Sequence, residues 1–168
     1  MKITGLSHFA LACRDLKEAE DFYTRILGGA VVRRIGGAES DLEAGRVPQA
    51  VVQLAEGVQV NLNGGEPEVP QGHFVHWAFH GDAAEIDEWI GTFRREGIKW
   101  YGPYGHGGVG NVSLYFYDPT GYLLELTLAF PDWETAKAEV QKRNGLFGST
   151  LSTYDPDEWE RTHQESGG

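Results

Sequence analysis

Three side chains of metal-ligating type stand at related places in this 168-residue sequence: His8 in HFAL, His76 in HWAF and Glu125 in YLLELTL. Successive side chains of a strand alternate between its two faces. If Phe9 and Leu11 pack under a following helix, His8 points to the opposite face. The same rule turns His76 away from Trp77 and Phe79, and Glu125 away from Leu124 and Leu126. A lone histidine on a half-apolar strand is more often a core residue than a ligand. A carboxylate inside an apolar strand is harder to dismiss, because burying it costs several kcal/mol unless it is paired or metal-bound. Two imidazoles and one carboxylate, with coordination positions left open, make the facial triad that suits non-heme Fe(II). The fourth related position carries Asn61, a poor metal ligand.

The elements that must position these residues are written twice. ITGLSHFALACR reads as a strand, and DLKEAEDFYTRILGG as a helix capped by Asp15 and stopped at Gly28-Gly29. AVVRRI and AVVQLAEGVQVNLN read as strands, the second bent at Glu56-Gly57. The order then recurs. HFVHWAFHG is a strand, and DAAEIDEWIGTFRREG is a helix with a capping box at Asp82 and Glu85 and a stop at Gly97. NVSLYFYDPTGYLLELTLAF is a hairpin turning at Asp118-Pro119-Thr120-Gly121. His8 matches His76, Gly57 matches Gly121 and Asn61 matches Glu125. The spacing predicts an α+β fold of two βαβββ modules, about residues 3–62 and 73–130, joined by NGGEPEVPQG within one domain over 1–130. Neither half buries its sheet alone, so the modules are expected to pair into a cupped, eight-stranded mixed sheet or barrel with the helices outside. Residues 131–168 read as a C-terminal extension that begins with a helix, PDWETAKAEVQKRNG.

Composition narrows the partners. A formal charge of −11 argues against nucleic acid and against an anionic membrane surface. Cys13 is the sole cysteine, which leaves neither an intrachain disulfide nor a cysteine zinc cluster. There is no signal-like h-region and no apolar run of membrane-spanning length, so a soluble, cytoplasmic protein is expected.

GLSHFALACRDLKEAEDFYTRILGG, HWAF and YFYDPTGYLLEL together resemble the vicinal oxygen chelate superfamily over about residues 3–130. That superfamily includes glyoxalase I, bleomycin-resistance proteins, fosfomycin-resistance enzymes and extradiol dioxygenases. The resemblance implies paired βαβββ modules with His8, His76 and Glu125 as metal ligands, and often a dimer or larger homo-oligomer. GHGGVGNVSLYFYDPTGYLLEL is further similar to the extradiol dioxygenase signature, with a histidine nineteen residues before the metal Glu and a tyrosine ten before it. Here these are His106 and Tyr115. The resemblance gives both a hydrogen-bonding role toward a catechol.

One departure is visible. Two-domain extradiol enzymes carry an acid–base histidine about fourteen residues before the second metal histidine, where this chain has Leu62. Acid–base work then falls to His106, or to His73 if the linker folds inward. His80 reads as a rim residue and His163 as a solvated tail residue. The expected activity is Fe(II)-dependent extradiol cleavage of a small aromatic diol, carboxylate-bearing like L-DOPA in one version, with O₂ as co-substrate. The alternatives are a glyoxalase-, epimerase- or fosfomycin-transferase-like enzyme on Mn(II), Zn(II) or Ni(II), and a metal-free binding or resistance protein.

Overall fold

The computed structural model describes residues 5–71, 75–106 and 110–148. In the first module, β1 (His8–Cys13) leads into α1 (Leu16–Asp21), which continues as a π-helical turn over Phe22–Ile26. Asp15 caps α1 by accepting from the Glu18 N–H at 2.9 Å. There follow β2 (Ala30–Ile35), a short α2 (Glu39–Glu43), β3 (Gln49–Ala55) and β4 (Val58–Gly64). The second module has β5 (Trp77–Gly81), a 3-10 turn at Ala83–Glu85, α3 (Ile86–Arg95), β6 (Trp100–Gly105), β7 (Asn111–Tyr117) and β8 (Leu123–Ala129). α4 (Trp133–Lys142) and the two-residue β9 (Leu146–Phe147) complete the described chain. Among the described residues no helix is long and apolar enough to cross a membrane.

The strands form two sheets, ordered β1-β4-β3-β2 and β5-β8-β7-β6-β9. The two βαβββ modules expected from the repeat are present, and each closes its parallel pair through its own helix. Three details differ from expectation. The sheets share no strand pair among the described residues, so eight strands do not hydrogen-bond into one surface, and a ninth strand joins the second sheet. The short helix α2 was not foreseen: it has no buried residue and therefore no apolar period to read.

What joins the modules is a common core, not a ladder. Phe9 of β1 stacks on Trp77 of β5 with centroids 5.6 Å apart and lies 5.9 Å from Phe79. Phe22 lies 6.4 Å from Phe116, which stacks on Phe93 at 4.8 Å. Tyr23, fully buried, donates to Asp118 Oδ2 at 3.1 Å, tying the first helix to the β7–β8 turn. Asp118 also holds that turn, since its Oδ1 accepts from the Gly121 and Tyr122 N–H groups at 2.8 Å. The extension is anchored at its start: Ala136 and Val140 of α4 are buried, and Arg143 pairs with Asp87 of α3 at 2.8 Å.

Candidate metal centre

The alternation rule holds where it was applied. Phe9, Leu124 and Leu126 are buried in the core, and Trp77 and Phe79 pack against it. His8 and Glu125 fall on the opposite faces of their sheets. Strand register makes the repeat explicit. Asn61 lies opposite Ala10 of β1 and Val51 of β3. Glu125 lies opposite Ala78 of β5 and Tyr115 of β7.

In the second sheet four of the foreseen residues meet. His76 Nε2 lies 2.7 Å from Glu125 Oε2. Tyr115 meets the His76 ring edge-on at 5.7 Å between centroids. His106 Nε2 is 2.9 Å from Ser113 Oγ, and that hydroxyl donates a short hydrogen bond to Glu125 Oε1. Thr127 Oγ1 donates to the same oxygen at 3.1 Å. Ser113 has a single proton and gives it to Glu125, so a neutral His106 donates through Nε2–H and keeps its lone pair on Nδ1. Burial, then the Glu125 charge, push the Tyr115 hydroxyl up to about 12, which leaves it a proton donor at neutral pH.

Ser113 and Thr127 were missed by the sequence reading. Each stands two residues from a foreseen site residue on its own strand, Tyr115 and Glu125, so alternation alone would have placed both on the site's face. Tyr101 and Tyr104 extend it: Tyr101 stacks on Tyr115 at 5.0 Å, and Tyr104 lies 5.2 Å from His106. A cavity of about 420 Å³ runs beside β5, with His76 and His80 next to Phe9, Trp77, Phe79 and Trp89. His80 is exposed, as a rim residue should be. His73 and His163 lie outside the described residues.

The three ligand-type side chains do not converge within one chain. Among the described residues no group of three or more His, Cys, Asp or Glu side chains is placed to hold a metal ion. His8 is exposed, and its ring Nδ1 is 3.2 Å from the neighbouring Ser7 hydroxyl. It sits on β1, an edge strand of the other sheet, with no ladder to draw it toward β5. The donor chemistry of the remaining pair still fits a divalent ion. Glu125 is only 7% exposed, and its partners are an imidazole and hydroxyls, with no Lys or Arg among the described residues. That is a buried anionic oxygen beside a partly exposed nitrogen donor.

This pairing of modules, with a histidine–carboxylate couple on one open face, defines a vicinal oxygen chelate architecture. The chain belongs to the Glyoxalase/Bleomycin resistance protein/Dioxygenase superfamily, whose family model matches residues 5–126. No curated protein matches it. Solved structures do. The fosfomycin resistance protein FosX from Listeria monocytogenes superposes with a TM-score of 0.66 at 23% identity, over 77% of this chain and 97% of that one. A mutant of that protein, complexed with Mn(II) and 1S,2S-dihydroxypropylphosphonic acid, gives 0.61 at 25% identity, over 74% and 92%. FosX from Mesorhizobium loti gives 0.60 at 21% identity, over 74% and 91%.

Proposed function

We propose that this protein is a divalent-metal-dependent enzyme acting on a small molecule with neighbouring oxygen donors, its metal held by His76 and Glu125 of one chain and His8 of a second copy. The carrying observation is the His76–Glu125 pair at 2.7 Å, a ligand couple already formed in one chain. His8 is exposed on the edge of the other sheet, and apolar Leu6 and Val75 beside the two histidines are 60% and 50% exposed. Both features fit a surface that a second copy covers. The non-redox reading, on Mn(II), Zn(II) or Ni(II), is preferred over ring cleavage because the fosfomycin resistance proteins, one of them with Mn(II), share the fold.

When bound, the metal supplies Lewis acidity toward the substrate's oxygens. The chain does the rest. Tyr115 donates its hydroxyl proton toward developing negative charge on a substrate oxygen. His106 exchanges a proton through Nδ1, oriented by the Nε2 contact to Ser113. His76 also borders the apolar cavity lined by Phe9, Trp77 and Phe79. His73 is the second candidate for the acid–base role.

The extradiol reading, with Fe(II), O₂ and a small aromatic diol, keeps one observation in its favour: the Tyr101–Tyr115 stack gives the site's face an aromatic platform. The test loads the protein anaerobically with Mn(II), Fe(II), Zn(II) or Ni(II). Each form is then offered catechols, with O₂ uptake followed, and epoxide and hemithioacetal substrates, with product followed. Turnover of a non-catechol without O₂ uptake is expected. O₂ uptake with Fe(II) and a catechol alone would transfer the assignment to the dioxygenase.

A further inference from the structure

The two sheets are nearly free of charge on their strands, and what charge they carry is complementary. The five strands of the second sheet hold one charged residue, Glu125. The four strands of the first hold no Asp or Glu in a chain of charge −11, and only Arg33 and Arg34 as cations. Arg34 is committed to Glu20 of α1, with Nε 2.9 Å from Oε2. Its neighbour Arg33 must then point to the face away from the helix, and register agrees, since Arg33 lies opposite Val51, which lies opposite Asn61. A one-residue bulge between Val31 and Arg33 sets that alignment.

Arg33 is exposed and forms no ion pair among the described residues, whereas Arg14, Arg25, Arg34, Arg46, Arg95 and Arg143 all do. Around it the face is a field of amides: Gln49, Gln53, Gln59, Asn61 and Asn63 share the parity of His8. Asn61 Oδ1 is buried without a hydrogen-bond partner among the described residues, and an orphaned buried acceptor calls for a donor. So the row through Asn61 holds a free guanidinium at one end and an unsatisfied acceptor near the other, on the face that bears His8.

We propose that Arg33 and Asn61 form an anion-reading subsite: Arg33 takes a carboxylate or phosphonate of the substrate, and Asn61 Oδ1 accepts from a hydroxyl or amine beside it. The inference rests on the reading that His8's face closes over His76 and Glu125 of a second copy. It makes the substrate an anion with oxygen donors at one end, and it disfavours an uncharged diol. A planar guanidinium grips either anion in a two-point fork, which lysine cannot reproduce.

The test uses the full chain, metal-free and with Mn(II) bound in a parallel calorimetric titration. In the metal-free sample the Arg33 Nε–H and Asn61 side-chain amide signals are followed by ¹⁵N NMR, assigned through Arg33→Gln and Asn61→Ala. Acetate and methylphosphonate are titrated separately, with acetamide as neutral control. Saturable shifts with one or both anions and none with acetamide are expected. Whichever anion binds names the source of the charge. Affinity should fall about 10–100-fold in Arg33→Gln, the worth of a charge-assisted bond, with Arg33→Lys in between. Unmoved Arg33 signals, equal shifts with acetamide, or undiminished binding in Arg33→Gln overturns the subsite. Failure of the parent to bind Mn(II) would instead count against the metal centre, because the anion titration needs no metal.

Discussion

Asn61 and Glu125 occupy the same register position in the two sheets, each facing an alanine of the neighbouring parallel strand, Ala10 or Ala78, two residues after a histidine. The duplicated fold thus offers two equivalent half-sites, and one substitution of type separates them. Only the Glu125 side brings an anionic donor to an imidazole.

That asymmetry predicts the metal stoichiometry. Glu125→Ala should abolish Mn(II) binding, because it removes the only anionic ligand and leaves neutral imidazoles. Asn61→Ala should bind at parent stoichiometry. Calorimetric titration of the two variants checks this, and loss of metal from Asn61→Ala would make the amide a ligand.

If His8 acts in trans, His8→Ala and Glu125→Ala chains are each inactive alone but complement when mixed. A hybrid dimer keeps one intact site, His8 coming from one chain and His76 with Glu125 from the other. Random reassortment makes about half of the dimers hybrid, so about a quarter of parent activity is expected after mixed refolding. A mixture as inactive as its components would place all three ligands in one chain.

His106→Phe should leave the metal bound and slow turnover by about 10²–10⁴-fold, the usual worth of a positioned proton-transfer group. Ser113→Ala should slow it less, since His106 remains but its tautomer is no longer held by the 2.9 Å contact. Tyr115→Phe removes one hydrogen bond, about 1–3 kcal/mol when its partner is charged and buried. Parent-like turnover in His106→Phe would reduce that histidine to a loop residue.

Much of this geometry was legible in the sequence. Alternation at His8, His76 and Glu125 assigned faces correctly because Phe9, Trp77, Phe79, Leu124 and Leu126 are large apolar residues with one place to go. Glycines at the turns carried the boundaries, with Gly28, Gly57 and Gly97 all at φ near 70°. What could not be read is how the two sheets stand to each other. That depends on contacts such as Phe9–Trp77 and Tyr23–Asp118, formed between residues far apart in the chain with no periodic signature. The separation of His8 from its expected partners follows from it. Arg33 escaped notice because AVVRRI shows two arginines, and only the pairing of Arg34 with Glu20 shows which is left over.

Cys13 is 1% exposed, and burial pushes its thiol up to about 11. The native protein should therefore react very slowly with Ellman's reagent at pH 8, and one thiol per chain should appear on unfolding. The reactive species is the thiolate, which a raised pKa withholds. Rapid native reaction would mean that β1 opens readily from the shared core.

Asp118 gives the clearest pH signature. Burial raises its carboxyl above the ordinary aspartate value, against the opposing hydrogen bonds from Tyr122, Tyr23 and Gly121. The folded state therefore holds this proton to higher pH than the unfolded chain does. Its contribution to stability is fully present below the unfolded value, about 3.9, and is lost as pH rises through the raised folded value. Asp118→Asn removes the titration while keeping an oxygen for the Gly121 and Tyr122 N–H groups and placing an NH₂ beside the Tyr23 hydroxyl. The stability of the parent minus that of Asp118→Asn, from urea unfolding at a series of pH values, should fall as pH rises from about 3.9 through the raised folded value and then level off. The slope is bounded by about 1.4 kcal/mol per pH unit for one proton. Tyr23→Phe, which deletes the 3.1 Å bond to the buried carboxyl oxygen, should cost about 1–3 kcal/mol. A difference curve that rises with pH would mean that the three donors outweigh burial and that the carboxylate is held below its ordinary value.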